Sequence, residues 1–271
     1  MNIKSIISHI ILIAIALIML FPMMWMFLLS IKEFPESLGG LLEIILAPST
    51  LINYYDAFAS DAFGIYFLNS AFVAVAVTVG NILLCLMAGY SLARRQFFGK
   101  TAVWLTILGV LIIPPHVIMI PLYRLMVDFG WINTYYALIL PWLVTPFGIF
   151  LVRQYILSLP EEIEFAARID GAGEWYILFR ILMPLCKPVL TVLAIYTFLG
   201  NWNTFLFPFL FTNEESFRTL PVGLTFYLGK QSIDWGRLMA GASMSALPVL
   251  VIFLIFQKQV IKGLTAGAIK E

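Results

Sequence analysis

The sequence predicts an all-α protein that crosses a membrane several times. Only 11% of its 271 residues are charged, whereas a soluble protein has roughly 25%. Hydrophobic residues make up 62% of the chain, and its mean hydropathy is +0.97. The charged residues also leave six uncharged stretches of at least 20 residues. This composition excludes a disordered chain, a nucleic-acid-binding domain and a small secreted domain held by disulfides.

Each uncharged stretch can cross the hydrocarbon core of a bilayer, which takes a helix of about 20 residues. The stretches are continuously apolar rather than alternating, which excludes a β-barrel. We therefore predict a polytopic protein with six transmembrane helices in one domain. Its predicted parts are the domain 1–271, the spans at about 6–31, 66–93, 101–123, 134–153, 185–211 and 238–257, and a cytoplasmic loop at 158–184.

The first span has the position of a secretory signal peptide, since it begins just after Lys4. Its apolar run is longer than a signal h-region of roughly 7–15 residues. Bulky residues follow Pro22, where a cleavage site would need small ones. We expect a retained helix.

Orientation follows from the basic residues, because cytoplasmic loops are enriched in Lys and Arg. With six spans, both termini lie on one side, which would hold 11 of the 16 basic residues. Both termini are therefore expected in the cytoplasm. In the first outer segment, residues 44–55 are expected on the membrane surface or against the outer helix ends, with residues 53–55 in a folded loop.

The loop between the fourth and fifth spans has the pattern of two helices rather than of a linker. Ser158 and Glu161 have capping-box spacing. The first helix would run to about Asp170, Gly171 would end it, and a second helix would continue to Pro184. We predict a helix–turn–helix outside the bilayer.

One stripe of the first of these helices combines acids with a small residue, because Glu162, Ala166 and Asp170 recur every four residues. The stripe could dock on another protein, or the helix could lie on the membrane surface. Membrane-surface helices are usually rich in Lys and Arg, whereas this one is acidic. The sequence therefore favours protein docking.

Motifs for catalysis and metal binding are absent from the sequence. It has no phosphate-binding P-loop, and its two histidines, His9 and His116, lie far apart. Cys85 and Cys186 are expected to be small buried residues. Within the third span, Pro114 and Pro115 break the helix, and His116 is expected to satisfy the freed carbonyls. No catalytic residue, bound metal or cofactor is predicted.

Some polar residues within the predicted spans have two interpretations. Asparagine in a membrane helix usually hydrogen-bonds to neighbouring helices. It could instead line a wet pathway for a polyol, with an aromatic residue stacking on a sugar face. Both readings stay open for Asn69, Asn201, Trp202 and Asn203.

The loop and ten further segments resemble the bacterial ABC-importer permeases. The run Ala166-Ala167-x-x-Asp170-Gly171-Ala172, followed by Pro184, resembles their EAA loop. Further segments resemble the carbohydrate-uptake branch, in particular its maltose/glycerol-3-phosphate type second permease. They are residues 69–70, 88–100, 113–114, 120–123, 133–135, 140–141, 202–203, 220–224, 239–241 and 263–268.

The resemblance implies a fold, a location and a set of partners. The fold is the type I importer permease core, in the bacterial or archaeal cytoplasmic (inner) membrane. The partners are a second permease, a cytoplasmic ATPase dimer that carries ATP and Mg²⁺, and an extracytoplasmic solute-binding protein for a carbohydrate. Residues 212–235 would reach towards that protein. The implied ATPase-coupling residues are Glu162, Glu164, Phe165, Ala166, Ala167, Asp170, Gly171, Ala172 and Pro184, and the implied binding-protein contacts are Asn213, Glu214, Glu215, Leu220 and Pro221.

The sequence departs from the family motif at Phe165, where the family usually has glutamate. An apolar contact would then replace a salt bridge to the ATPase. Apart from Arg153 and Lys187 at span ends, the predicted spans hold no cationic residue that could bind a phosphate, which favours a neutral sugar over a phosphate ester. The alternative functions are a self-contained channel, a secondary carrier and a membrane-embedded enzyme. The first two usually show intramembrane charges or internal repeats, and the third clustered acids, His or Cys at bilayer depth.

Overall fold

The computed structural model describes residues 3–37, 39–59, 62–229 and 233–266. Regular structure in these ranges is helical, with one isolated β-bridge between Leu228 and Ile233. The all-α prediction is confirmed. The α-helices are α1 (Ile3–Ser30), α2 (Leu41–Leu46), α3 (Ile52–Ala59), α4 (Phe63–Arg94), α5 (Lys100–Ile112), α6 (Met119–Asp128), α7 (Tyr135–Ile139), α8 (Pro146–Leu157), α9 (Glu162–Ile169), α10 (Glu174–Tyr176), α11 (Met183–Leu185), α12 (Lys187–Trp202), α13 (Leu206–Phe211), α14 (Leu220–Leu224) and α15 (Trp235–Ala266).

Four helices of the described chain could span a membrane alone, and the number rises to six if each of two bent pairs is one span. This agrees with the six-helix fold class. The single helices are Ser5–Ser30, Phe63–Arg94, Tyr135–Leu157 and Trp235–Gln257, and the bent pairs are Lys100–Ile112 with Pro115–Asp128 (96°) and Glu174–Leu185 with Lys187–Trp202 (79°).

Two helix breaks in the predicted spans have prolines as their physical cause. Pro114 and Pro115 lack the N–H groups that would continue α5, and the chain bends there. The fifth predicted span stops at Trp202 and resumes at Leu206. Pro208 causes this second break, because its ring excludes a continuous helix through Thr204.

The contacts form two compact units, which we call the first and the second unit. The first unit comprises Met1–Phe67 and Leu220–Leu250, and the second comprises Leu68–Thr219 and Val251–Glu271. The single-domain boundary of 1–271 stays a prediction. In the tail, residues 267–271 lie outside the described ranges.

In the first unit, the chain after α1 folds back on the end of that helix. Asn53 in α3 donates to the carbonyls of Ser30 at 3.0 Å and Lys32 at 2.6 Å. Lys32 is buried, and its Nζ donates to the Ala47 carbonyl at 2.5 Å. The outer segment therefore packs on a helix end, and the part expected as a folded loop is helix α3.

Helix α1 has an apolar surface that the other described residues do not cover. None of its most apolar 18 residues is buried. Side chains on several sides are exposed, including Ile11, Ile18 and Met19. Since α1 is apolar all round, it requires lipid or another protein as its surroundings.

In the second unit, α4 and α8 approach closely because glycines face the partner helix. A Cβ at Gly148 would lie 2.7 Å from Sγ of Cys85, and one at Gly89 would lie 2.9 Å from Val152. A buried apolar core surrounds this contact and continues to Leu193 in α12. The core positions the segment between α8 and α12, which contains the predicted helix–turn–helix.

Candidate functional site

Helix α9 begins differently from the capping-box prediction. Its N-cap residue is Glu161, and no side chain caps it. The Ser158 hydroxyl donates instead to the Tyr155 carbonyl at 2.7 Å, in the last turn of α8. The prediction was wrong because Ser158 keeps helical backbone angles, φ −84° and ψ −9°, whereas a capping serine needs an extended conformation.

Most surface helices bury an apolar face and expose a polar one, whereas α9 buries an acid and exposes large apolar side chains. The acid Glu164 is 1% exposed, and Ala167 is also buried. The exposed face, which we call the outward face, is largely apolar, and it includes Phe165, 53% exposed, and Ile169, 87% exposed. The members of the outward face are Glu162, Phe165, Ala166 and Ile169. Asp170 follows the helix and is exposed as well.

Glu164 is buried because Arg94, at the end of α4, pairs with it. Arg94 Nε donates to Glu164 Oε1 at 2.7 Å, and both side chains are nearly inaccessible. Arg94 Nη1 donates to Glu161 at 3.1 Å, and Nη2 donates to the carbonyls of Ile156 at 2.9 Å and Leu159 at 2.7 Å. We call this group the arginine clamp. It joins the ends of α4 and α8 to the start of α9.

A second set of charges extends the clamp to α10. The Tyr90 hydroxyl donates to Glu174 at 2.9 Å, and Arg95 forms a salt bridge with the same carboxylate. Arg168 bridges Glu164 and Glu174, at 3.3 Å to each. Because α4, α9 and α10 share these ion pairs, the helix–turn–helix is fixed to the transmembrane helix α4.

The turn between α9 and α10 requires a glycine. Gly171 has φ +83°, which side-chain-bearing residues rarely adopt. Its N–H donates to Arg168 and the N–H of Ala172 donates to Ala167, which together form a Schellman motif. The prediction that Gly171 ends the first helix is correct.

After the turn, the second helix runs to Leu185 but is not a regular α-helix. Its middle, Ile177–Leu182, is a π-helix, and such stretches often occur at functional positions. Pro184 lies after it, shortly before the chain bends by 79° into α12. The bend starts the fifth span.

Two of the possible pathway residues are buried in the chain. Asn69 donates to the carbonyls of Ser216 at 2.8 Å and Arg218 at 2.9 Å, and it accepts from the Tyr135 hydroxyl at 2.7 Å. Trp202 is 1% exposed. These contacts favour a role in helix packing for Asn69 and Trp202.

The other two pathway candidates lie at the second helix break. Asn201 and Asn203 each donate to the carbonyl four residues earlier, at 2.8 and 2.9 Å. Asn203 is exposed, and Asn201 is partly buried. Asn203 therefore remains the most accessible of the four candidates.

His116 does not satisfy the carbonyls freed by Pro114 and Pro115. Within the described ranges, its ring nitrogens have no hydrogen-bond partner, and the ring instead stacks on Phe207, with 6.5 Å between centroids. The expectation failed because the 3-10 turn after the break turns the imidazole towards α13 rather than back along α5.

The possible binding-protein contacts separate into exposed and buried residues. Asn213, Glu214 and Glu215 are exposed, whereas Leu220 is fully buried and Pro221 is partly buried. Asn133 Oδ1 accepts from the N–H groups of Asn213 at 2.6 Å and Glu214 at 3.0 Å.

Asn133 has φ +58°, and its own N–H donates to Phe211 at 2.9 Å. Sequence reasoning did not give Asn133 this role, although asparagine is among the few residues that tolerate positive φ.

Metal-ligating side chains and cysteines complete the account of the described residues. No group of three His, Cys, Asp or Glu side chains within them could hold a metal ion. Both cysteines are buried and unpaired with each other.

Comparison with known proteins identifies the class. The family model of the binding-protein-dependent transport system inner membrane component matches residues 81–265. The chain belongs to this family. As a binding-protein-dependent inner membrane component, it is a multi-pass permease subunit of an ABC importer and not an enzyme. This result displaces the alternatives of a self-contained channel or carrier.

Relatives of this inner membrane component match along nearly its whole length. An arabinooligosaccharide transport system permease from Halalkalibacterium halodurans is 37% identical, over 94% of this chain and 93% of the relative. A trehalose/maltose transport system permease from Thermococcus litoralis is 34% identical, over 95% and 94%. A solved bacterial ABC transporter for import of the acidic polysaccharide alginate has a similar fold, with a TM-score of 0.85 and 22% identity, over 94% of this chain and 96% of that one.

Proposed function

We propose that this permease subunit forms half of a translocation pathway for a neutral, hydroxyl-rich carbohydrate, driven by a separate ATPase. The relatives named for arabinooligosaccharides and for trehalose and maltose support this substrate class. The polar groups of the predicted spans are mainly amides and hydroxyls, which suit sugar hydroxyls. ATP and Mg²⁺ would bind the ATPase and not this chain.

The observation that carries the proposal is the outward face of α9. A helix that buries Glu164 and exposes Phe165 and Ile169 outside the predicted spans needs a protein partner to cover these apolar side chains. The small Ala166 between them lets a partner approach closely. We assign this face to a groove of the ATPase, which meets Phe165 with an apolar surface instead of a basic residue.

The arginine clamp supplies the mechanical link that coupling needs. Movement of the ATPase groove would pull α9, and Arg94 would transmit the pull to α4 and α8 through its charged hydrogen bonds. ATP-driven closure would thereby reorient the pathway between inward-open and outward-open states. This motion is the alternating access expected of the importer.

The other partners are assigned to further surfaces of the chain. The uncovered apolar surface of α1 suits a second permease in the membrane. The exposed residues Asn213, Glu214 and Glu215 suit a binding protein outside the cell. In this arrangement the clamp and both termini face the cytoplasm, as the distribution of basic residues favours.

The test is ATPase stimulation in the reconstituted complex with its sugar-loaded binding protein. Ala166→Glu would put an unpaired charge into the docking groove, and Gly171→Pro cannot adopt φ +83°. A buried unpaired charge costs roughly 3–5 kcal/mol, so stimulation should fall at least about tenfold.

Gln154→Glu is the matched control, because it adds the same charge at an exposed position on α8. It should keep wild-type stimulation. Normal stimulation in Ala166→Glu, with the protein inserted in the membrane, would refute the docking assignment.

A further inference from the structure

The two helix breaks of the second unit meet at an aromatic contact. His116 follows the break after α5, and Phe207 follows the break after α12. Their rings are 6.5 Å apart at an angle of 26°. Trp142 packs edge-on against Phe207, with 4.7 Å between centroids. The residues after both breaks therefore share one location.

The breaks also lie at a similar depth. Helix α5 has 13 residues and α12 has 16, so at a rise of 1.5 Å per residue they reach about 20 and 24 Å before they break. Both start near the end of the second unit that carries the clamp. Lys100, at the start of α5, donates to the Arg95 carbonyl at 2.7 Å, and Cys186, just before α12, lies in the same buried core as Ile156 and Ala167. A hydrocarbon core of about 30 Å would place both breaks within the membrane.

The first break leaves a backbone acceptor without a local donor. In a helical turn, the Leu111 carbonyl would accept a hydrogen bond from the N–H three or four residues later. Those residues are Pro114 and Pro115, and neither has an N–H group. The Val110 carbonyl is compensated by Ile113, whose N–H donates to it at 3.1 Å. In the part of the chain that the structure describes, no backbone N–H outside the helix donates to the Leu111 carbonyl. Irregular backbone of this kind occurs at membrane depth only where protein or a wet cavity covers it.

The imidazole of His116 also needs protein or a wet cavity around it. It is exposed, and within the described ranges its nitrogens have no hydrogen-bond partner. An imidazole facing lipid would be costly, and ionisable residues inside membranes usually face a substrate pathway. Two unsatisfied polar groups, the Leu111 carbonyl and the His116 ring, therefore lie at one helix break.

We propose that this break is a carbohydrate subsite in which His116 hydrogen-bonds a sugar hydroxyl; the inference rests on the proposed function. A neutral imidazole has one donor and one acceptor, which match the two roles of a hydroxyl. The Leu111 carbonyl accepts from a second hydroxyl. Phe207, backed by Trp142, holds the imidazole in place by stacking. This proposal makes His116 a substrate-contacting residue.

The experiment measures uptake of radiolabelled maltose, trehalose and arabinooligosaccharides by the complete importer in proteoliposomes. Three variants are compared with wild type: His116→Ala, His116→Gln and Val117→Ala. Glutamine keeps a donor and an acceptor, and Val117 is the exposed apolar neighbour. Co-purification of the second permease and stimulated ATPase activity are measured on the same samples.

The expected result is that His116→Ala reduces sugar uptake per ATP hydrolysed about tenfold, the value of one hydrogen bond to substrate. Assembly and stimulated ATPase activity should be unchanged, His116→Gln should recover most of the uptake, and Val117→Ala should behave as wild type. Unchanged uptake in His116→Ala would overturn the subsite alone. Loss of the second permease would overturn it by assigning His116 to an interface. Failure of the wild-type importer to take up any sugar would overturn the proposed function and the subsite together.

Discussion

At the scale of single residues, Arg94 has the most specific role in the second unit. Its three guanidinium nitrogens all donate, to two carboxylates and two carbonyls. The carboxylate of Glu164 accepts from both Arg94 and Arg168. The pair is buried and joins positions 70 residues apart in sequence. Such a pair stabilises one relative position of α4 and α9 and resists their separation.

Removal of Arg94 should therefore destabilise the protein and uncouple it. Arg94→Ala leaves Glu164 buried without its main partner, which costs about 3–5 kcal/mol. We expect a lower thermal unfolding temperature in detergent and loss of binding-protein-stimulated ATPase activity. Arg124→Ala removes an equal charge from an exposed position and should change neither measurement. Equal stability of the two variants would contradict the clamp.

At the scale of helices, α9 and α1 differ in what surrounds them. Helix α9 is fixed to its own chain through ion pairs and offers only its outward face. Helix α1 is apolar on every side, and its most apolar residues are all uncovered. A helix of this kind is stabilised by the membrane and by a neighbouring protein rather than by its own domain.

Contact between α1 and the second permease predicts a periodic cross-linking pattern. Single cysteines placed from Ile10 to Leu20 should cross-link to the second permease with a period of 3.6 residues, because one helix face would meet the partner. The native Cys85 and Cys186 are fully buried and should not react. Mass spectrometry of the products gives the readout. Uniform reactivity with no cross-link at any position would mean that lipid alone surrounds α1.

At the scale of the whole molecule, charge placement predicts more than local motifs do. The uncharged stretches predicted six spans, because few charges can enter hydrocarbon, and the described helices agree if each bent pair is one span. The Pro114–Pro115 break was also predicted. The second break had a local signal in Pro208, but an apolar run on both sides concealed it.

The arginine clamp could not be predicted, since no local pattern links Arg94 to Glu164. The role of Asn133 and the burial of Leu220 likewise depend on tertiary contacts. Ser158 had the correct spacing for a cap but the wrong backbone conformation. Sequence therefore located the candidate coupling segment, whereas packing decided which of its side chains face outward.

The central claim is that the outward face of α9 docks on the ATPase. The most direct measurement is photo-cross-linking of Ala166→Cys, labelled with a benzophenone maleimide, in the intact importer. Both native cysteines are buried, so the label should react at the introduced position alone. Gln154→Cys, exposed on α8, is the matched control.

We expect Ala166→Cys to give a product with the combined mass of permease and ATPase, in a yield that changes when ATP is added. Gln154→Cys should give little product. Equal yields from the two positions, or cross-links from Ala166→Cys to lipid alone, would contradict the claim.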